Sequence, residues 1–297
     1  MPVIDLQSIR CRFTCTGPDA PRFLNGQVTQ DIRRVTPGHA LPACLTNAKG
    51  RLEAELVIAA LPDGYLIDAP ACLRGFLGQR LEKYLIADDC HVTDVTGSTV
   101  HFHFLGEDPA HLPPGCNQVT RLGQAGWDHI VPEEEAGTTR ASLPPGIAGL
   151  SSDALDDERI RRGIPVWGAE LDGDTLPPEA GLDSTHVSYT KGCYIGQEVI
   201  SRLRSVGQVA RKLCLLVPSG EGRLTTSMPL HSTPAPEAGT RPLGTITSAT
   251  SDGRTALGYL RRPHHLGESL VYALPNDGSS LSIPLGILPC PLPPTTA

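Results

Sequence analysis

The sequence predicts an α+β fold: a helix-backed sheet at the N-terminal end and a small antiparallel β-barrel or sandwich at the C-terminal end. Three observations predict it. Elements in the N-terminal third run β-α-β-β-β-α-β, the order of a sheet backed by two helices on one side. From residue 206, short apolar runs alternate with loops rich in Pro, Gly, Ser and Thr, the pattern of a small antiparallel barrel or sandwich. Across 297 residues, 31 Gly and 28 Pro against 4% aromatics favour turns and strands over long helices. The expected domains are 1–97, 98–205 and 206–297.

Residues 9–16 alternate as a strand with Cys11, Phe13 and Cys15 on one face. The two cysteines read as apolar strand filling rather than a metal pair. Gly17-Pro18-Asp19 is a turn, with Asp19 a candidate cap for a short helix over 19–26. Residues 41–47 and 52–60 are apolar strands around the turn Asn47-Ala48-Lys49-Gly50, and 64–69 is another. Leu73, Phe76, Leu77, Leu81, Tyr84 and Leu85 predict a helix over 72–86, followed by a strand over 90–95.

Segment 99–105 alternates, with His101 and His103 on one face. His-x-His can bind a metal, but no third ligand is placed nearby, so two partly exposed or hydrogen-bonded histidines are expected. Residues 106–118 form a Pro/Gly-rich loop, and Glu133-Glu134-Glu135 a solvated acidic turn. A helix from Asp153, its cap, ends at Gly163-Ile164-Pro165. Barrel strands are expected at 213–217, 243–248, 255–260, 269–273 and 281–287. The loop 218–242 is expected to be mobile and the tail after Pro291 frayed.

The formal net charge is −7, which argues against a uniform nucleic-acid-binding face. Nine cysteines at irregular spacing, with no C-x-x-C pair, make neither a disulfide framework nor a zinc ribbon. They suit a reducing cytoplasm. The N-terminus has the features of neither a secretory signal nor a transit peptide. No run approaches the ~18–20 apolar residues of a membrane helix. A cytoplasmic protein without membrane or direct nucleic-acid partners is expected. Phosphate-cradling loops, nucleophile elbows and H-E-x-x-H are absent. Ser188-Tyr189-Thr190-Lys191 fits S-x-x-K, but no K-T-G follows it.

The most informative stretch is Lys191-Gly192-Cys193-Tyr194-Ile195-Gly196-Gln197-Glu198. Val199, Ile200 and Leu203 then share a helix face, so the stretch reads as a glycine-permitted turn into a helix N-terminus. A thiol there, beside a lysine and near unpaired N–H groups, is expected to ionise more easily than a free one. Cys193 is a candidate reactive or ligating sulfur; the competing reading is a tight turn around an inert, buried cysteine. Arg202, Arg204, Arg211 and Lys212 follow. They read either as cations suiting a helix C-terminus or as a basic rim for an acidic ligand.

This stretch resembles the K-G-C-[YF]-x-G-Q-E signature of the folate-binding YgfZ family, relatives of the glycine cleavage aminomethyltransferase, the T-protein. Phe23-Leu24-Asn25-Gly26-Gln27-Val28-Thr29-Gln30-Asp31, Ala48-Lys49-Gly50-Arg51 and Arg159-Ile160-Arg161-Arg162-Gly163-Ile164-Pro165 resemble further family segments. So do Leu176-Pro177-Pro178-Glu179-Ala180-Gly181-Leu182 and the barrel stretches at 244–249 and 256–262. The matches keep family order from residue 22 to 262.

The resemblance implies a T-protein-like three-domain ring, two sheet-plus-helix domains and a C-terminal antiparallel β-barrel, that accepts tetrahydrofolate, and a role in assembling or repairing iron–sulfur clusters of the four-iron type. Such a role would indirectly support radical tRNA-modifying enzymes. Partners would be the folate and iron–sulfur client or assembly proteins. Glu179 would hold the pterin, since a carboxylate matches the adjacent N–H donors of an aminopterin ring. Arg202 would meet the glutamyl tail. Lys49, Lys191, Gly192, Tyr194, Gly196, Gln197 and Glu198 would complete the cofactor site, with Cys193 the functional thiol and a transient cluster contact.

The chain departs from the T-protein at its catalytic acid. In Gly50-Arg51-Leu52-Glu53-Ala54-Glu55-Leu56, Ala54 stands in that aspartate's place. Strand alternation points Glu53 and Glu55 to the opposite face. An accessory, non-catalytic role is therefore expected over a one-carbon transferase. A pure protein-interaction scaffold is a third reading.

Overall fold

The computed structural model describes residues 3–106, 112–142, 152–267, 270–275 and 282–290. The chain forms two compact units: Met1–Leu150 with Ser184–Ser201, and Ser151–Asp183 with Arg202–Ala297.

The first unit contains β1 (Val3–Asp5), β2 (Arg10–Thr16), α1 (Ala20–Gln27), β3 (Leu41–Thr46), β4 (Leu52–Leu61) and β5 (Gly64–Pro70). It continues with α2 (Arg74–Glu82), β6 (His91–Asp94), β7 (Thr99–Leu105), β8 (Asn117–Arg121), β9 (Gln124–Pro132) and α3 (Ala136–Ser142). Its strands make a five-stranded sheet, β3-β4-β5-β2-β6, and a four-stranded sheet, β1-β7-β9-β8. Every pairing is antiparallel. Val57, Ala59 and Leu66 of the larger sheet pack against Val119 and Ile130 of the smaller.

That stacking explains β2. Cys11, Phe13 and Cys15 are buried as expected, but so is Arg12 on the other face. Its guanidinium is held by the carbonyls of Thr96 and Thr99 and the side chains of Thr99 and Gln7. A charge cluster lies alongside. Asp68 accepts from Arg10 and Arg121, and Asp128 from Arg121. Of the two alternatives expected for the histidines, partial exposure does not hold, since both are fully buried, whereas hydrogen bonding holds for His103. The Nδ1 of His103 lies 2.8 Å from Asp128. The ring nitrogens of His101 lie 3.5 Å from Asp68 and 3.3 Å from Asp128.

The helix expected over 72–86 is shorter. A 3-10 turn, Ala71–Leu73, leads into α2, and Leu73, Leu77 and Leu81 form the buried stripe. Phe76 and Tyr84 are exposed, and the Tyr84 ring lies 4.2 Å from the Arg80 guanidinium. Asp19 precedes α1 as expected, but its carboxylate accepts from the Asp89 amide rather than capping the helix. The β8–β9 hairpin is not apparent in the sequence. Its two-residue turn, Leu122-Gly123, has both φ positive, a conformation that leucine rarely signals.

The second unit carries α4 (Ser152–Arg161) and a barrel of β10 (Arg211–Pro218), β11 (Pro229–His231), β12 (Gly244–Ala249), β13 (Ala256–Arg261), β14 (Val271–Ala273) and β15 (Ile283–Pro289). Asp153 lies in the first turn of α4 rather than at its cap. The barrel closes in the order β10-β13-β12-β11-β14-β15. The loop expected over 218–242 contains β11, which bridges β12 and β14 and closes the ring. Leu216, Leu230, Ile246, Leu260 and Leu285 fill the barrel core. On the outside, Leu213, Leu215, Leu257 and Tyr259 pack with Ile160 of α4. The tail after Pro291, residues 107–111 of the Pro/Gly-rich loop, and residues 269 and 281 of the expected strands lie outside the described residues. Among the described residues, no helix is long and apolar enough to cross a membrane.

Candidate functional site

Three sequence-separated stretches of the first unit meet at the cysteine motif: Asn25–Gln30 at the end of α1 and just beyond it, the turn Asn47–Gly50, and Lys191–Gly196 itself. Lys191 organises the first contact. Its Nζ donates to the carbonyls of Asn25 (2.6 Å), Val28 (2.6 Å) and Gln30 (2.8 Å). A lysine ammonium has three donors, and all three are used. Burial pulls its pKa down to about 8, against an opposing pull from Asp31.

The neighbouring segment is held as firmly. Thr29 Oγ1 donates to the His186 carbonyl at 2.6 Å, and the Ser188 amide to the Thr29 carbonyl at 3.0 Å. Thr46 Oγ1 donates to the Ile195 carbonyl at 2.6 Å. Gly196, at φ +87°, lies where a Cβ would stand 2.5 Å from the Asn47 carbonyl oxygen. Gly50, at φ +72°, is packed against Val199. The glycines of the two motifs are therefore paired by close approach, which no larger residue permits.

On this frame Gly192 and Cys193 are exposed, whereas Tyr194 is buried. Burial pushes the Tyr194 phenol up. The helix α5 (Gln197–Val206) begins four residues after Cys193, so the thiol precedes the helix rather than sitting at its first turn. The Lys191 ammonium, expected beside the thiol, is turned onto the backbone carbonyls. Lys49 and Glu198 are exposed, and Gln197 is half-buried.

Glu179 belongs to the second unit, in a 3-10 turn, Pro177–Ala180. It is buried, and its Oε2 accepts from Arg211 Nε at 3.1 Å and from the Leu176 amide at 3.3 Å. The Arg211 guanidinium lies 4.4 Å from the Tyr259 ring. A carboxylate offers about four lone-pair sites, so Glu179 keeps acceptor capacity for a donor-rich heterocycle. Arg202 is exposed on α5. Arg211 as the partner of Glu179 was legible only as one of several cations after the helix. Thr46 carried no signal, because it acts through one hydroxyl on the distant Ile195 carbonyl, and Asn25 acts through its main-chain carbonyl, which its side chain does not announce.

Ala54 is fully buried in β4 between Leu52 and Leu56. Glu53 is paired with Arg80 at 2.6 Å and Glu55 with Arg10 at 2.9 Å. Among the described residues, no group of three or more His, Cys, Asp or Glu side chains is placed to hold a metal ion.

No family model matches the chain. Curated relatives are named tRNA-modifying protein YgfZ. That of Escherichia fergusonii is 29% identical over 227 residues, 69% of each chain. That of Colwellia psychrerythraea is 23% identical over 222 residues, 69% of this chain and 68% of the relative. A solved glycine cleavage aminomethyltransferase T from Bartonella henselae superposes with a TM-score of 0.83 at 18% identity, over 98% of this chain and 85% of that one. The T-protein-like fold and the likeness to YgfZ proteins, both read from the motifs, are thus borne out.

Proposed function

We propose that this relative of the YgfZ proteins is a tetrahydrofolate-binding accessory factor for the maturation or repair of iron–sulfur enzymes, among them enzymes that modify tRNA. The observation that carries the reading is the presentation of Cys193. Three motifs are used to build a rigid seat, and the thiol is left exposed on it. A cluster or a client thiol would be cargo or partner at this sulfur.

Glu179 would hold the folate through its pterin N–H donors. Its burial supports this role, since a carboxylate hydrogen bond gains strength away from water. Lys191 contributes indirectly, by fixing the backbone that carries Cys193. A T-protein type of aminomethyl transfer is disfavoured. The acid's position is a buried alanine, and both flanking glutamates are committed to arginines.

Calorimetric and thermal-shift titration with tetrahydrofolate tests the folate half. Saturating folate is expected to raise Tm by several degrees in wild type, and markedly less in Glu179→Ala. No heat and no stabilisation in wild type would leave a scaffold. Cys193→Ala tests the other half. It should fold normally, because the side chain is exposed, and should fail to restore iron–sulfur enzyme activity in a strain lacking the protein. A fully active variant would remove the thiol from the mechanism.

A further inference from the structure

We propose that one rim of the barrel in the second unit docks an acidic protein segment carrying apolar side chains. At this rim β10 starts and β13 ends, with Arg211 directly opposite Arg261. The Arg262 amide donates to the Ala210 carbonyl at 3.1 Å, and the Arg261 amide to the Leu243 carbonyl at 3.0 Å. The rim therefore gathers Arg211, Lys212, Arg261 and Arg262, with Arg241 two residues before Leu243. Like charges directly across a strand pair are unfavourable. Arg211 is answered by Glu179. Lys212, Arg241, Arg261 and Arg262 have no ion pair among the described residues, although the chain holds 32 acids against 25 Lys and Arg. Arg10, Arg80, Arg121 and Arg159, by contrast, each meet a carboxylate. The excess field is felt locally. Burial first, and then Lys212 and Arg262, hold the His265 pKa below its ordinary value.

Beside these cations stand exposed leucines. Leu266 ends a 3-10 turn, His264–Leu266, that packs on β10, β13 and β15. It is 59% exposed, and Leu288 of β15 is 44% exposed. A Cβ on Gly267 would lie 3.5 Å from the Ile287 carbonyl, which brings the turn beside that strand. Leu270, just before β14, is 71% exposed. Apolar anchors rimmed by cations that meet no carboxylate among the described residues are the makings of a protein interface. A phosphodiester backbone has no use for the leucines. An extended anionic membrane would also press against a body of net charge −7, whereas a compact acidic partner touches only the rim.

The test is fluorescence anisotropy of the full chain with a labelled peptide of about twelve residues that alternates Glu and Leu. All-Glu and Lys/Leu peptides, phosphatidylglycerol vesicles and single-stranded RNA are run beside it. The Glu/Leu peptide is expected to bind best. The pairs Arg261→Glu with Arg262→Glu, and Leu266→Ser with Leu288→Ser, should each weaken it roughly tenfold or more at unchanged Tm. No binding to wild type, equal binding by either double variant, or equal binding of the all-Glu peptide overturns the proposal. Tighter binding of vesicles or RNA that the variants abolish also overturns it. So does self-association in sedimentation that the variants abolish, which would make a second copy the occupant. No outcome depends on folate binding or on Cys193.

Discussion

Lys191 sits two residues from Cys193, and its position in the sequence suggested that it touches the ligand or tunes the thiol. The structure gives it another task. One buried ammonium closes three main-chain carbonyls in the last turn of α1 and just beyond it, and so ties the cysteine segment to that helix end. Lys191→Met keeps the aliphatic stem and removes the donors. Leaving buried acceptors unsatisfied costs about 1–3 kcal/mol each, less whatever water recovers. A loss of about 3 kcal/mol in urea unfolding is expected, with faster alkylation of Cys193 in a Cys72→Ser background. Unchanged stability together with an unchanged alkylation rate would contradict the latch.

At the scale of elements, β11 shows how a short strand escapes a pattern reading. It is three residues long and followed by a Pro-rich, polar stretch, so it offers no alternation to detect. Yet it satisfies the facing edges of β12 and β14, and Leu230 points into the barrel core. Leu230→Ala is expected to cost about 2–5 kcal/mol, through lost burial and the cavity left behind. Differential scanning calorimetry would show a large drop in the barrel's transition. A change within a degree would mean that β11 adds little to closure.

Across the molecule, the buried charges of the first unit set its acid limit. Burial alone would raise the Glu55 carboxyl, but Arg10 and then His186 outweigh it and bring its pKa down to about 2. Asp68 and Asp128 are likewise held below the usual range, by Arg10 and Arg121 and by Arg121 and His101 respectively. For a carboxylate whose pKa is depressed on folding, the stabilisation is fully present above the unfolded value near 4. It is lost as pH falls through the folded value. Stability should therefore hold from pH 7 to about 4.5 and decline steeply from about 4 toward 2. With its pKa brought down to about 2, Glu55 contributes about 3 kcal/mol of that decline. Urea midpoints across this range check it, and Glu55→Gln should flatten the curve. A wild-type midpoint independent of pH down to 2.5 would contradict the assignment.

The sequence by itself determined the antiparallel sheet with its two helices, the barrel that follows, and the motif around Cys193. Those features rest on local order: period-two alternation, turn residues, and glycines whose positive φ is written into the chain. Only the tertiary structure decided that Arg12 is buried, that His101 and His103 belong to a charge cluster between two sheets, and that Lys191 faces backbone rather than solvent. The physical reason is the same in each case. Whether a polar side chain is exposed depends on what packs over its face, and the covering residues lie far away in sequence: Thr96 and Thr99 over Arg12, Asp68 and Asp128 around His101, and Asn25 to Gln30 around Lys191.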